Sequence, residues 1–223
     1  MDDLRRSYLS AGETPWKLLQ ARDAVAGGKI LPLHPSLNLT NRCNATCKWC
    51  ACRDVDRSLT MPTGEAIQVL SRFGRMGTRA VTITGGGEPT LHDGLGCVLH
   101  HCDTRKLKIG LVTNGVRWSH EGVPPEASLC QWIRVSVVDG HDAMRVVEEI
   151  CKGAPAVGVG VSFTVTAEPD VEAAFGLCEL ANRTVNCTHI RFVQDILAPS
   201  DSGFRWVQSA VQSVSEKAIF QRR

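Results

Sequence analysis

No apolar run in this chain approaches the roughly 18–20 residues that a membrane span requires. The N-terminal residues include Asp2, Asp3, Arg5 and Arg6 and no apolar stretch, so no signal peptide is expected. Excess charge is missing too: 25 basic residues face 23 acidic ones, a net +2 that exerts no general pull on nucleic acid. There is no internal repeat and no low-complexity segment. The expectation is a cytoplasmic globular protein with no membrane partner. Its 223 residues, 43% of them hydrophobic, are enough to bury one large core.

Ten cysteines are present. In a small secreted chain they would suggest disulfides; without an export signal they read as reduced thiols. Cys97, Cys102, Cys130, Cys151, Cys178 and Cys187 are scattered without C-x2-C spacing and are expected to be packing residues, because a buried thiol behaves as a small hydrophobe.

Apolar, β-branched runs recur at Ser36–Thr40, Ala80–Thr84, Lys108–Thr113, Trp132–Val138, Val157–Thr166 and His189–Val193, with helical stretches between them. That alternation predicts an α/β fold with a parallel sheet covered by outer helices, an open-sided partial (βα)6 barrel of the TIM type. The helix after the first strand carries Ala66, Leu70, Phe73 and Met76 on one stripe. Asp170 is placed to cap a helix bearing Val171, Ala174, Phe175, Cys178 and Ala181. A last helix is expected from Phe204 to Ala218, and a poor one around Glu121–Gln131, where Pro124 and Pro125 interrupt it. Residues 1–35 are expected to form a helical N-terminal extension, with a helix over Thr14–Ala26, and residues 36–223 the barrel core. The chain ends after the expected last helix, so the final strands of a full barrel are not expected.

The remaining four cysteines lie together. Cys43, Cys47 and Cys50 follow the first strand with C-x3-C-x2-C spacing, and Trp49 stands just before the third. Three thiolates on one loop can hold three irons of a four-iron cluster and leave the fourth iron open to a substrate. The alternative is a structural zinc site in which Cys52 supplies a fourth thiolate. Zinc sites usually pair two separated C-x2-C knuckles, and no second knuckle exists. A second feature follows the second strand, Thr84-Gly85-Gly86-Gly87-Glu88-Pro89-Thr90. Consecutive glycines let backbone approach a ligand closely, although a tight turn would use the same residues.

Together these two motifs resemble the radical S-adenosylmethionine (radical SAM) superfamily, over roughly Ser36 to Val193. The resemblance implies that Cys43, Cys47 and Cys50 bind a [4Fe–4S] cluster whose open iron is chelated by SAM. It implies that Gly86, Gly87 and Glu88 help hold the methionine amino group, with Asn114 beside SAM. Ser136 would meet its carboxylate or ribose, although one extra residue separates it from Asp139-Gly140 by comparison with the family. Ser162 or Thr164 would face the adenine, and Arg191 and Gln194 would point to SAM or substrate. An external one-electron donor, flavodoxin- or ferredoxin-like, would drive cleavage of SAM to methionine and a 5′-deoxyadenosyl radical. No side chain of the motifs is then required as an acid or base. The substrate stays open between a peptide, protein or nucleic acid and a small metabolite or modified nucleoside. A non-catalytic iron–sulfur or zinc protein is the reading of another class.

Overall fold

Strands in this chain are runs of Val, Ile, Leu and Thr, which pack well on a pleated surface buried on at least one side. The computed structural model describes residues 19, 21–29, 31–138, 142–195, 197, 198 and 200–222. Among these, seven strands form one sheet in the order β1 to β7: Ser36–Asn38, Ala80–Thr84, Lys108–Thr113, Trp132–Ser136, Gly158–Val165, Cys187–Gln194 and Ala218–Gln221. Every neighbouring pair is parallel. Sequential order with parallel pairing places each crossover on the same side, which is how an open partial barrel arises. β1 and β7 are not paired with each other, so the barrel stays open between them.

The helices are α1, Arg22–Ala26; α2, Thr63–Arg75; α3, Leu95–Thr104; α4, Val116–Glu121; α5, Ala143–Gly153; α6, Val171–Arg183; and α7, Ser202–Val211. Of the expected helix over Thr14–Ala26, Leu19 and α1 are helical and Ala21 is a turn; residues 14–18 and 20 lie outside the described residues, as does Asp139-Gly140. Asp142 and Asp170 cap α5 and α6 by accepting from the backbone N–H groups of Arg145 and Ala173 at 3.0 and 2.9 Å. None of the described helices is long and apolar enough to cross a membrane.

The core lies between sheet and helices. Ile83, Leu111, Ile133, Val135, Val159, Val161 and Ile190 are buried and cluster with Leu70, Leu99, Val146, Ile150, Leu177 and Cys178 from the helices. Side chains alternate across a strand, so the residues between them face the opposite, concave side. The stretch before β1 is already tied to β2: Pro35 accepts from Thr82 N–H at 3.0 Å, and Leu33 accepts from Arg79 N–H at 3.0 Å.

Two expectations are corrected. The helix expected near Glu121–Gln131 is α4, ending at Glu121, followed by a 3-10 turn over Pro125–Leu129. Proline suits the first turn there, where no N–H is needed. The helix expected to run to Ala218 stops at Val211, and Ala218–Gln221 forms a seventh strand. Between the two, Lys217 is anchored away from a helical course, its ammonium donating to the carbonyls of Ala181 in the last turn of α6 and Thr184 just after it, at 2.5 and 3.0 Å. Phe220 then stacks on Phe192 at 5.3 Å and meets Phe204 edge-on at 6.2 Å.

Phe192 is fully buried between Phe163 and Phe220. Phe192→Ala is expected to cost about 3–5 kcal/mol in a denaturant titration. Substitution of the fully exposed Val185 by threonine should change stability by less than about 0.5 kcal/mol.

Candidate active site

The cysteine loop is built on a neck. Leu39, fully buried, follows β1, and the two arms of the loop then pair across Thr40 and Thr60. Asn41 N–H donates to Leu59 at 2.9 Å, Met61 N–H to Leu39 at 2.8 Å, and the two threonine hydroxyls bond at 2.7 Å. Residues between these arms therefore form a closed loop beyond the carboxyl end of β1, carrying Cys43, Cys47, Cys50 and Cys52, all half-buried.

Arg57 spans that loop from inside. Its guanidinium donates to the Asn41 carbonyl at 3.1 Å, the Cys52 carbonyl at 3.0 Å and the Gly86 carbonyl at 3.1 Å. One planar fork thus fixes both ends of the cysteine segment and docks it on the glycine turn. Nothing in the sequence marks Arg57, because its partners are backbone carbonyls distant along the chain.

The glycines serve this docking. Gly87 N–H donates to Thr40 at 3.1 Å, and Glu88 N–H donates to Arg42 at 2.7 Å. A Cβ on Gly87 would stand 2.0 Å from the Arg42 carbonyl oxygen, and one on Gly86 would stand 2.4 Å from Asn41 Oδ1. The turn after β2 and the loop after β1 therefore cross as bare backbone.

Glu88 is 3% exposed and turns inward. Its Oε1 accepts from Thr90 N–H at 3.1 Å, Thr90 hydroxyl at 2.8 Å and Thr113 hydroxyl at 2.6 Å, while Oε2 accepts Asn114 N–H at 2.6 Å. The carboxylate joins the end of β2 to the end of β3. Asn114 carries the connection onward: its Nδ2 donates to Asn44 Oδ1 at 2.9 Å and lies 3.9 Å from Cys43 Sγ. Gly115 follows with φ of 72°, which its missing Cβ permits, so the Asn-Gly pair is at once a turn and a contact to the cysteine loop.

Ser136 at the end of β4 is the cross-strand partner of Ser162 within β5, and Ser162 is partnered in turn by Arg191 of β6. Thr164 stands further along β5, in a pocket of about 300 Å³ lined also by Trp49, Phe163, Thr166 and Glu168. Trp49 thus reaches from the cysteine loop to the end of β5, across the mouth of the barrel. Gln194 is half-buried at the end of β6. The site residues therefore fall into two groups, one around Cys43, Asn114, Glu88 and the glycines, and one of Ser136, Ser162 and Arg191.

No disulfide joins any of the ten cysteines. Cys102, Cys130 and Cys151 are pushed up to about 12 by burial, Cys178 to about 11, and Cys187 upward as well. These five are inert packing thiols, whereas Cys97 is exposed on α3 and departs from that expectation. Among the described residues no three His, Cys, Asp or Glu side chains are grouped to hold a single metal ion. The loop thiols are neighbours on one loop rather than a closed chelate.

In the native apo-protein at pH 8, a thiol-reactive disulfide reagent should modify Cys43, Cys47, Cys50, Cys52 and Cys97, and reach the other five only after denaturation. Glu88→Gln puts an amide where four donors converge, and should lower stability by about 1–3 kcal/mol in thermal melts.

The family model of the radical SAM superfamily matches residues 37–161. A UPF0026 protein of Synechocystis sp. is 28% identical over 116 residues, 49% of this chain and 43% of that protein. An S-adenosylmethionine-dependent nucleotide dehydratase of Flammeovirga pacifica is 26% identical over 119 residues, 51% of this chain and 40% of that protein. The match therefore spans less than half of the length of either curated relative. Streptococcus suis SuiB bound to its precursor peptide SuiA superposes with a TM-score of 0.69 at 15% identity, over 93% of this chain and 54% of that one, a likeness of fold. The matched model runs from β1 into β5 over more than half of the chain, taking in both the cysteine loop and the glycine turn, and the chain belongs to the radical SAM superfamily.

Proposed function

We propose that this chain is a radical SAM enzyme, with Cys43, Cys47 and Cys50 holding a [4Fe–4S] cluster whose remaining iron takes SAM. The observation that carries this reading is the donor set. Three half-buried thiols share one loop at the carboxyl end of β1, and Arg57 pins that loop to Gly86. Such a loop offers soft thiolate ligands and keeps the fourth position for a small molecule. When bound, the cluster and SAM supply a 5′-deoxyadenosyl radical that removes a hydrogen atom from the substrate, on an electron from an external flavodoxin- or ferredoxin-like donor.

The chain's own residues then act by position. Asn114 presents an N–H to Cys43 Sγ, a contact of the kind that tunes a cluster's potential. Glu88 holds Asn114 in place and is a positioning residue in this reading; Gly86 and Gly87 act by letting the two loops cross. Ser136 and Ser162 offer hydroxyls to SAM, while Trp49 and Thr164 line the pocket that suits its adenine. Cys52 keeps its carbonyl on Arg57 and stays outside the ligand set. No acid or base is needed among these groups, because the bound cofactors carry the reactive chemistry.

Anaerobic reconstitution with iron and sulfide, followed by dithionite and SAM, tests the reading. The parent and Cys52→Ala should hold roughly four irons per chain and release 5′-deoxyadenosine. Cys43→Ala should lose the cluster's visible absorption and the product. Parent-like product formation by Cys43→Ala would sink the assignment.

A further inference from the structure

We propose that Arg134, His189 and Arg191 form a seat for a phosphate group of the substrate, on the concave floor of the sheet. This deepens the radical SAM reading by naming its substrate class, a small phosphorylated molecule.

The argument begins with where the sheet keeps its charge. None of the seven strands contains an aspartate or a glutamate, and their only basic residues are Lys108, Arg134, His189 and Arg191. Strand alternation places all four on the side away from the helices. Register brings three of them together: Arg134 is partnered by Gly160, Gly160 by His189, and Arg191 stands two residues beyond His189 on the same face. Among the described residues, the acids that follow these strands, Glu168 and Asp170 after β5 and Asp195 after β6, lie past the strand ends.

The floor is built to hold these groups. A Cβ on Gly160 would meet the His189 ring at 2.5 Å, so that glycine exists as a bed for the imidazole. A Cβ on Gly110 would likewise meet the Trp132 ring at 2.3 Å, and Arg134 lies 5.9 Å from the centre of that ring. The register shift between β5 and β6 makes Thr188 an extra residue opposite Val159 and Gly160. Such a bulge re-aims side chains. Here the Thr188 hydroxyl donates to the Val159 carbonyl at 3.1 Å and bonds His189 Nδ1 at 2.9 Å. Its single proton is spent on the carbonyl, so Nδ1 carries the ring proton and Nε2 is the acceptor.

Arg134 has no acidic partner among the described ion pairs, and its Nε is buried without a hydrogen bond. Burial and the charge of Arg191 bring its guanidinium down to about 10, and burial with both arginines lowers His189. A buried guanidinium with an unpartnered Nε, set beside a second cation, is eased by an anion. A carboxylate satisfies one guanidinium fork. A phosphate monoester brings up to two charges and, near neutral pH, a proton of its own to share with Nε2. It therefore suits Arg134 beside a neutral His189 better.

Isothermal titration of the reconstituted protein with inorganic pyrophosphate, a nucleoside 5′-triphosphate, the bare nucleoside and acetate tests the seat. Pyrophosphate and the triphosphate should bind, and acetate should not. Arg134→Met should weaken both phosphate probes about tenfold or more, with Arg134→Lys and His189→Gln intermediate. Arg145→Met, which removes an exposed cation paired with Glu149, should bind them like the parent. Iron content, SAM affinity and melting temperature report separately on the fold and the cofactors. The proposal is overturned if the parent binds no phosphate probe, or if Arg134→Lys and His189→Gln both bind like the parent. It is equally overturned if Arg145→Met loses as much affinity, or if the Arg134 variants lose SAM affinity instead. Phosphate binding by a parent that takes up no iron would overturn the radical SAM reading and leave the seat standing.

Discussion

One buried carboxylate governs the geometry of this site. Glu88 brings the turn after β2 and the turn after β3 onto a single pair of oxygens, and through Asn114 it reaches the first cysteine. A buried carboxylate is tolerable only when hydrogen-bonded, and here four donors converge on it. The sheet below supplies rigidity, and the loops above supply chemistry. Glu88 is the group that makes the second follow the first.

Much of this was legible in the sequence because it rested on local periodicity. Ala80–Thr84 and Lys108–Thr113 appear as strands with the expected bounds, and the Asp170 cap is in place. The cysteine spacing and the glycine run were visible as motifs, and the matched family model spans both. What was hidden depended on contacts between distant segments. Ala218 continues the helical spacing of Phe204, Val207, Val211 and Val214, yet Lys217 bonded at the end of α6 and Phe220 stacked on Phe192 override that pattern. Arg57 carries no sequence signal, since it binds backbone. Arg134 did leave a trace, a charged residue two positions from Ser136 on an otherwise apolar strand, and alternation places both on one face.

The two sides of the sheet obey different rules. Toward the helices, branched aliphatic side chains interdigitate and exclude water, which is where most of the stabilising area lies. Away from them, Gly110 and Gly160 give up side-chain volume so that an indole and an imidazole can lie flat on the strands. The concave side thus sacrifices strand propensity for a shaped, basic floor, a pattern expected where a sheet has been adapted to hold something other than itself.

The neck of the cysteine loop separates its shape from its donors. It is closed by Leu39, Thr40, Asn41, Leu59, Thr60 and Met61 alone, with Arg57 bracing the interior, and none of those bonds involves a thiol. In small zinc modules, folding and metal loading are a single step. Here the closing bonds are made by backbone, hydroxyl and guanidinium groups, so the outline of the loop is set by groups other than its thiols, and a thiol-to-alanine change removes a donor without opening the neck.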